Sequence, residues 1–101
     1  MGFRVSLTRL AQADLAEIVD YIFRENPAAA RRVGLELVER LRTLEKFPMI
    51  GRMVPEFGEE NLREIVYSHY RIVYRLHPET TRIDVVRIWH GARGELEVNL
   101  S

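Results

Sequence analysis

Arginine and histidine supply most of the reactive side chains in this chain of 101 residues. Of its 15 basic residues fourteen are arginine and one, Lys46, is lysine; the 3 histidines are His69, His77 and His90, and there is no cysteine. A planar guanidinium engages carboxylates, phosphates and backbone carbonyls two atoms at a time, which equips an arginine-rich chain for partner surfaces. Any one arginine is equally at home as a solvated surface charge. Imidazole titrates near neutrality and suits acid–base work. Without cysteine there are no disulfides, no thiolate metal sites and no thiol nucleophile. The three histidines are not paired at zinc-ligand spacing, so no metal is expected. The chain has no glycine-rich phosphate loop, no GxSxG elbow and no dinucleotide fingerprint, and Ser6, Ser68 and Ser101 lie in no triad context. No cofactor is expected.

The formal net charge is zero, from 15 basic and 15 acidic residues, which speaks against a general nucleic-acid binder. The distribution is uneven. Residues 62–93 carry Arg63, Arg71, Arg75, Arg82, Arg87 and Arg93 against Glu64, Glu79 and Asp84, while acids gather at Glu56, Glu59 and Glu60 and again at Glu95 and Glu97.

These side chains must be held by one domain with a single modest core. No apolar run approaches the roughly 18 residues of a membrane span. Arg4 and Arg9 interrupt any secretory apolar segment, so a cytoplasmic protein is expected. Phe3, Val5 and Leu7 alternate with Arg4 and Ser6 as a short strand. Thr8 is placed to cap a helix whose stripe is Ala11, Leu15, Ile18 and Ile22, with Asp14, Glu17, Asp20 and Glu25 mostly off it. Asn26-Pro27 ends that helix and opens a second, with Ala30, Val33, Leu37, Leu41 and Leu44 on one face. So short a link makes an antiparallel hairpin. Gly34 inside the second helix calls for a reason such as a close helix crossing. Phe47-Pro48 stops the helix, and residues 48–61, with two prolines and two glycines, read as a long loop.

Alternation then replaces the helical period. Leu62–Tyr67 is a strand, Ser68-His69 a turn, Tyr70–Leu76 a strand, His77-Pro78-Glu79-Thr80 a turn, and Arg82–His90 a last, apolar strand read as central. His69 and His77 are read as polar turn residues. On strict alternation His90 shares a face with Val86 and Ile88, opposite Arg87 and Trp89. With Arg87 outward, His90 points to the helices. The expected fold is α+β, a single domain of order β-α-α-β-β-β with the helix hairpin packed on an antiparallel sheet. Its core is expected over about residues 3–94 and a tail over 95–101.

The words LTRLAQADLAEIVDYI, ENPAAARR, FPMIGRMVPE, LREIVYSHYRIVYRL and VVRIWHGAR follow one another at a particular spacing over about residues 3–94. In that order the chain resembles the RelE/ParE superfamily of toxins, and REI followed by YRIVYR and a terminal HGAR looks like the ParE branch. The resemblance implies a cognate antitoxin whose C-terminal segment wraps the toxin, giving a hetero-oligomer. The acidic first helix, the arginine-bearing strands and an edge strand would suit such a partner. Two modes of action follow from it. ParE-like members inhibit DNA gyrase without being hydrolases, whereas RelE-like members cut messenger RNA in the ribosome. A non-toxic interaction module of the same fold is a third reading.

For RNA cleavage a 2′-hydroxyl must attack the adjacent phosphate, which needs a base, an acid and a cation. The candidates are Glu56 as base, Arg71 as phosphate clamp and His90 as acid. Arg71 matches an arginine that RelE-like nucleases carry on the corresponding strand, and His90 lies where they place a catalytic histidine or tyrosine. The plainer readings are a solvated acid for Glu56, a carboxylate-paired strand arginine for Arg71 and a hydrogen-bonded structural histidine for His90. A lone lysine and a neutral charge argue against the ribosomal nuclease, and the ParE-like reading, not an enzyme, is preferred. Its target-binding residues would be Arg87, Trp89, His90 and Arg93, since aromatic and arginine side chains are enriched at binding hot spots. Trp89 can equally be a core residue.

Overall fold

A computed structural model describes residues 2–98. Strand β1 (Arg4–Leu7) leads into helices α1 (Arg9–Glu25) and α2 (Pro27–Lys46). Strands β2 (Arg52–Met53), β3 (Leu62–Tyr67), β4 (Tyr70–His77) and β5 (Arg82–His90) follow. Both helix starts form as their residues dictate. The Thr8 hydroxyl accepts the Ala11 amide at 3.2 Å, and the Asn26 carbonyl oxygen accepts that of Ala29 at 3.1 Å with Pro27 in the first turn. The two helices pack as a hairpin on one face of a five-stranded sheet of order β1-β5-β4-β3-β2.

Two features go beyond the expected sheet. The pairs β3–β4 and β4–β5 are antiparallel, but β1 joins β5 in parallel, making the sheet mixed. Alternation in β1 reveals a half-buried strand and nothing about its partner's direction. The expected loop also contains β2, antiparallel to β3; two residues are too short to display a period. β5 is central only through Val85, where β1 ends, and from Val86 on it is an edge.

The core has two parts, one on each face of the sheet. Toward the helices, Ile72, Tyr74, Leu76, Ile83, Val85 and Ile88 meet Ala11, Leu37 and Leu44. On the outer face, Val54, Leu62, Val73, Trp89 and Leu96 form a second cluster. A β-bulge separates the halves of β5: Val85 lies opposite Tyr74 and Arg87 opposite Val73, leaving Val86 as the extra residue. A bulge reverses the facing of everything beyond it. Hence Val86 packs with the outer cluster, while Ile88 lies on the helix side. Packing also runs past residue 94, since Leu96 is buried and Val98 touches the outer cluster. The last three residues of the expected tail lie outside the described residues.

Candidate functional site

The outer face carries a carboxylate–arginine cluster built across three elements. Glu64 on β3 is fully buried and receives Arg71 from β4 and Arg52 from β2, the latter at 2.7 Å. Arg71 turns its other two nitrogens to Glu56 in the loop, at 2.6 and 2.8 Å, as a bidentate fork. That fork holds the Glu56 carboxyl down at about 2, and the same contact raises Arg71 further above its usual value. Glu56 and Arg71 are thus brought together, and each occupies the other. A carboxylate this acidic is a weak acceptor for a hydroxyl proton.

His90 lies on the opposite side of the sheet. Tyr70 and His90 are paired in register, as are Arg71 and Trp89, so neighbouring residues on each strand face opposite ways. The His90 ring meets Tyr70 edge-on with centroids 5.1 Å apart and lies 6.0 Å from His69. Its Nδ1 accepts the Ala92 amide at 3.0 Å, so in the neutral ring the proton sits on Nε2. His90, Tyr70 and Ile88 form one wall of a groove of about 390 Å³, with Glu17, Ile18 and Tyr21 of α1 on the other and Arg93 at its end. The three residues proposed for RNA cleavage therefore do not share a site.

Arg87 and Trp89 are 4% and 2% exposed. Arg87 starts on the outer face, opposite Val73, but its head is not left in solvent: it reaches Asp14 on α1, through Nε and Nη2 at 2.8 Å each. The Ile88 amide donates to the same carboxylate at 2.9 Å. The ion pair raises the Arg87 pKa further. The guanidinium groups of Arg87 and Arg93 lie 4.7 and 4.5 Å from the Trp89 ring centroid, two cation–π contacts. Its indole donates to the Gly94 carbonyl at 3.3 Å, and Arg87 to that of Glu97 at 3.0 Å. Arg87 and Trp89 therefore brace the end of β5, while the groove beside it presents His90 and the 47%-exposed Arg93.

Among known proteins, the family model described as "ParE toxin of type II toxin-antitoxin system, parDE" matches residues 5–94. The chain belongs to the ParE toxin family. This toxin is also similar to two curated relatives from Caulobacter vibrioides. Toxin RelE1 is 33% identical over 91 residues, covering 90% of this chain and 96% of the relative. Toxin RelE2 is 34% identical over 90 residues, covering 89% and 97%. Two solved structures share the fold at 22% identity. A chain of the chromosomal ParDE toxin–antitoxin system from P. aeruginosa gives a TM-score of 0.71, covering 87% of this toxin and 95% of that chain. One of the RelBE2 toxin–antitoxin complex from Mycobacterium tuberculosis gives 0.67, covering 89% and 99%.

Asp14 and Glu64, the two buried acids among the described residues, are not singled out by the sequence as site residues. Asp14 was placed with the off-stripe acids, yet it stands three residues after Ala11, on the apolar face, and that spacing was the available signal. Glu64 alternates with Leu62 on an apolar strand, a weaker signal of the same kind. Among the described residues no cluster of metal-binding side chains is present, and no helix is long and apolar enough to cross a membrane.

Proposed function

We propose that this toxin acts by binding rather than by hydrolysis, engaging DNA gyrase in the ParE manner, and that a cognate antitoxin neutralises it in the cytoplasm. The observation that carries this reading is the separation of the ribonuclease candidates. Glu56 and Arg71 are locked to one another on the outer face, and His90 opens into the groove on the helix face. The ParE family match favours the same branch. The contact surface for the target is the groove beside the end of β5, with His90 and Arg93 presented and Arg87 and Trp89 holding the strand beneath them. An antitoxin partner is supported by the solved relatives, which come from toxin–antitoxin systems.

A second reading, a ribosome-dependent endoribonuclease, is favoured by the names of the curated relatives, both RelE. Adding purified toxin separately to gyrase with plasmid and to translating ribosomes with message tests the two. The expected result is loss of supercoiling or accumulation of cleaved plasmid with messages intact. His90→Ala and Arg93→Ala should each weaken the gyrase effect about tenfold or more while preserving the circular dichroism of the fold. Messages cut on the ribosome with gyrase untouched would overturn the proposal.

A further inference from the structure

A second cavity, of about 400 Å³, opens on the outer face where residues 8–10 meet β4 and β5. Its polar walls come from three elements: Arg9 from the first turn of α1, Arg75 and His77 from β4, and Asp84 from β5. We propose that this cavity is an anion site for a phosphate-bearing ligand, with Arg9 and Arg75 as its cations.

The local charge supports an anion. Asp84 is the acid in the wall, but His77 Nε2 at 3.1 Å and Arg82 at 3.3 Å already hold its carboxylate. Glu79, at 4.0 Å from His77 Nδ1, is the other acid near the ring and is well exposed. Arg75 has Glu59 as its carboxylate partner at 3.5 Å, a looser contact than the 2.6–2.8 Å of the Arg71 and Arg87 pairs. Among the described residues no salt bridge holds the exposed Arg9. Two guanidinium charges thus remain uncommitted or weakly committed at the cavity, and the start of α1 adds a partial charge of the same sign.

At the cavity the donors arrive from separate elements, and a tetrahedral phosphate offers an oxygen to each. A carboxylate can also gather guanidinium groups from two strands, as Glu64 does from Arg52 and Arg71, so it is the competing anion against which phosphate is tested. The size is that of a small-ligand pocket. None of these residues takes part in the groove at the end of β5, so the site is independent of the gyrase reading.

Titration of the isotope-labelled full chain, followed by amide NMR shifts, tests the proposal. The probes are inorganic phosphate, a 5′-mononucleotide and a short single-stranded oligonucleotide, with a poly-glutamate peptide as the carboxylate comparison. Saturable shifts are expected at residues 8–10, 75–77 and 84–86. Arg9→Gln and Arg75→Gln should each weaken binding about tenfold, while Arg31→Gln on the exposed face of α2 should leave it unchanged. Binding of inorganic phosphate or the mononucleotide identifies a free phosphate ligand, and binding of the oligonucleotide alone identifies a strand's phosphodiester; either supports the site. No saturable shift with any phosphate probe would overturn it. So would equal binding of poly-glutamate, or undiminished binding by folded Arg9→Gln and Arg75→Gln variants.

Discussion

Asp14 accepts from three donors of β5, the Nε and Nη2 of Arg87 and the Ile88 amide, and is only 4% exposed. A buried ion pair adds little over an apolar pair of the same shape, but removing one partner strands the other charge. Asp14→Ala should therefore lower unfolding stability by about 3–5 kcal/mol, read from the urea midpoint. The double variant Asp14→Leu/Arg87→Met should recover much of that loss. If the single variant were harmless, Arg87 would have to be solvated some other way. Glu56 makes the complementary case at an exposed pair. Its carboxyl is held at about 2 against an ordinary 4.5, so its contribution is complete above 4.5 and is lost as the pH falls from there toward about 2. Glu56 is 41% exposed, so solvent screens the pair and the contribution is small. Unfolding titrations in that acid window should show a shallower pH dependence for Glu56→Gln than for the parent chain.

At the scale of elements, the open half of β5 is closed by side chains instead of a strand. The Thr8 hydroxyl donates to the Val86 carbonyl at 3.3 Å and Asp14 takes the Ile88 amide, both from the segment that follows β1. An unpaired edge invites foreign strands, and α1 blunts this one. β2 is held at the other edge by a different device: the Tyr74 hydroxyl accepts the Gly51 amide at 3.0 Å and donates to the Pro48 carbonyl at 2.8 Å. A methyl group at Gly51 would lie 2.6 Å from that hydroxyl, so the glycine is required. Gly34 is the contrary case. A Cβ there would meet the Val19 side chain at 3.9 Å, an ordinary contact, so the helix crossing does not explain this glycine. Gly34→Ala should stabilise the protein by about 1 kcal/mol through helix propensity, visible as a higher thermal midpoint.

For the molecule as a whole, the second apolar cluster draws in residues beyond the expected core. Leu96 and Val98 pack on Trp89 and its neighbours, while Gly94 and Glu97 offer carbonyls to Trp89 and Arg87. Deleting residues 95–101 should cost about 2–3 kcal/mol from Leu96 burial alone. It should also shift the emission of Trp89, the one tryptophan, to the red. Unchanged emission and stability would mean that the outer face does not need its C-terminal cover. The arginine-rich span 62–93 makes sense on the same scale. Arg71, Arg75, Arg82 and Arg87 are met by Glu56, Glu64, Glu59, Asp84 and Asp14, acids drawn from across the chain.

The residue pattern by itself determined what depends on neighbours in the chain. The caps at Thr8 and Asn26, the helix stop before Pro48, the hairpin turn at Ser68-His69 and the β-α-α-β-β-β order all follow from local backbone and side-chain chemistry. The motifs carried the family as well. What only the tertiary structure decided depends on residues far apart in sequence. It set the parallel pairing of β1, the pairing of two-residue β2 and the bulge at Val86. The bulge turned Arg87 and Trp89, residues whose types suited a binding surface, to the outer face, where they are nonetheless buried. The candidate site was legible as a set of residues and not as an arrangement. Strict alternation grouped His90 with Val86 and Ile88, whereas the bulge sends Val86 to the outer face and leaves Ile88 and His90 on the helix side. Nor could alternation show Arg71 occupied by Glu56 or Asp14 waiting for Arg87. A charge read along the chain has no partner until folding brings one within a few ångströms, and there the cost of burying it unpaired determines where it points.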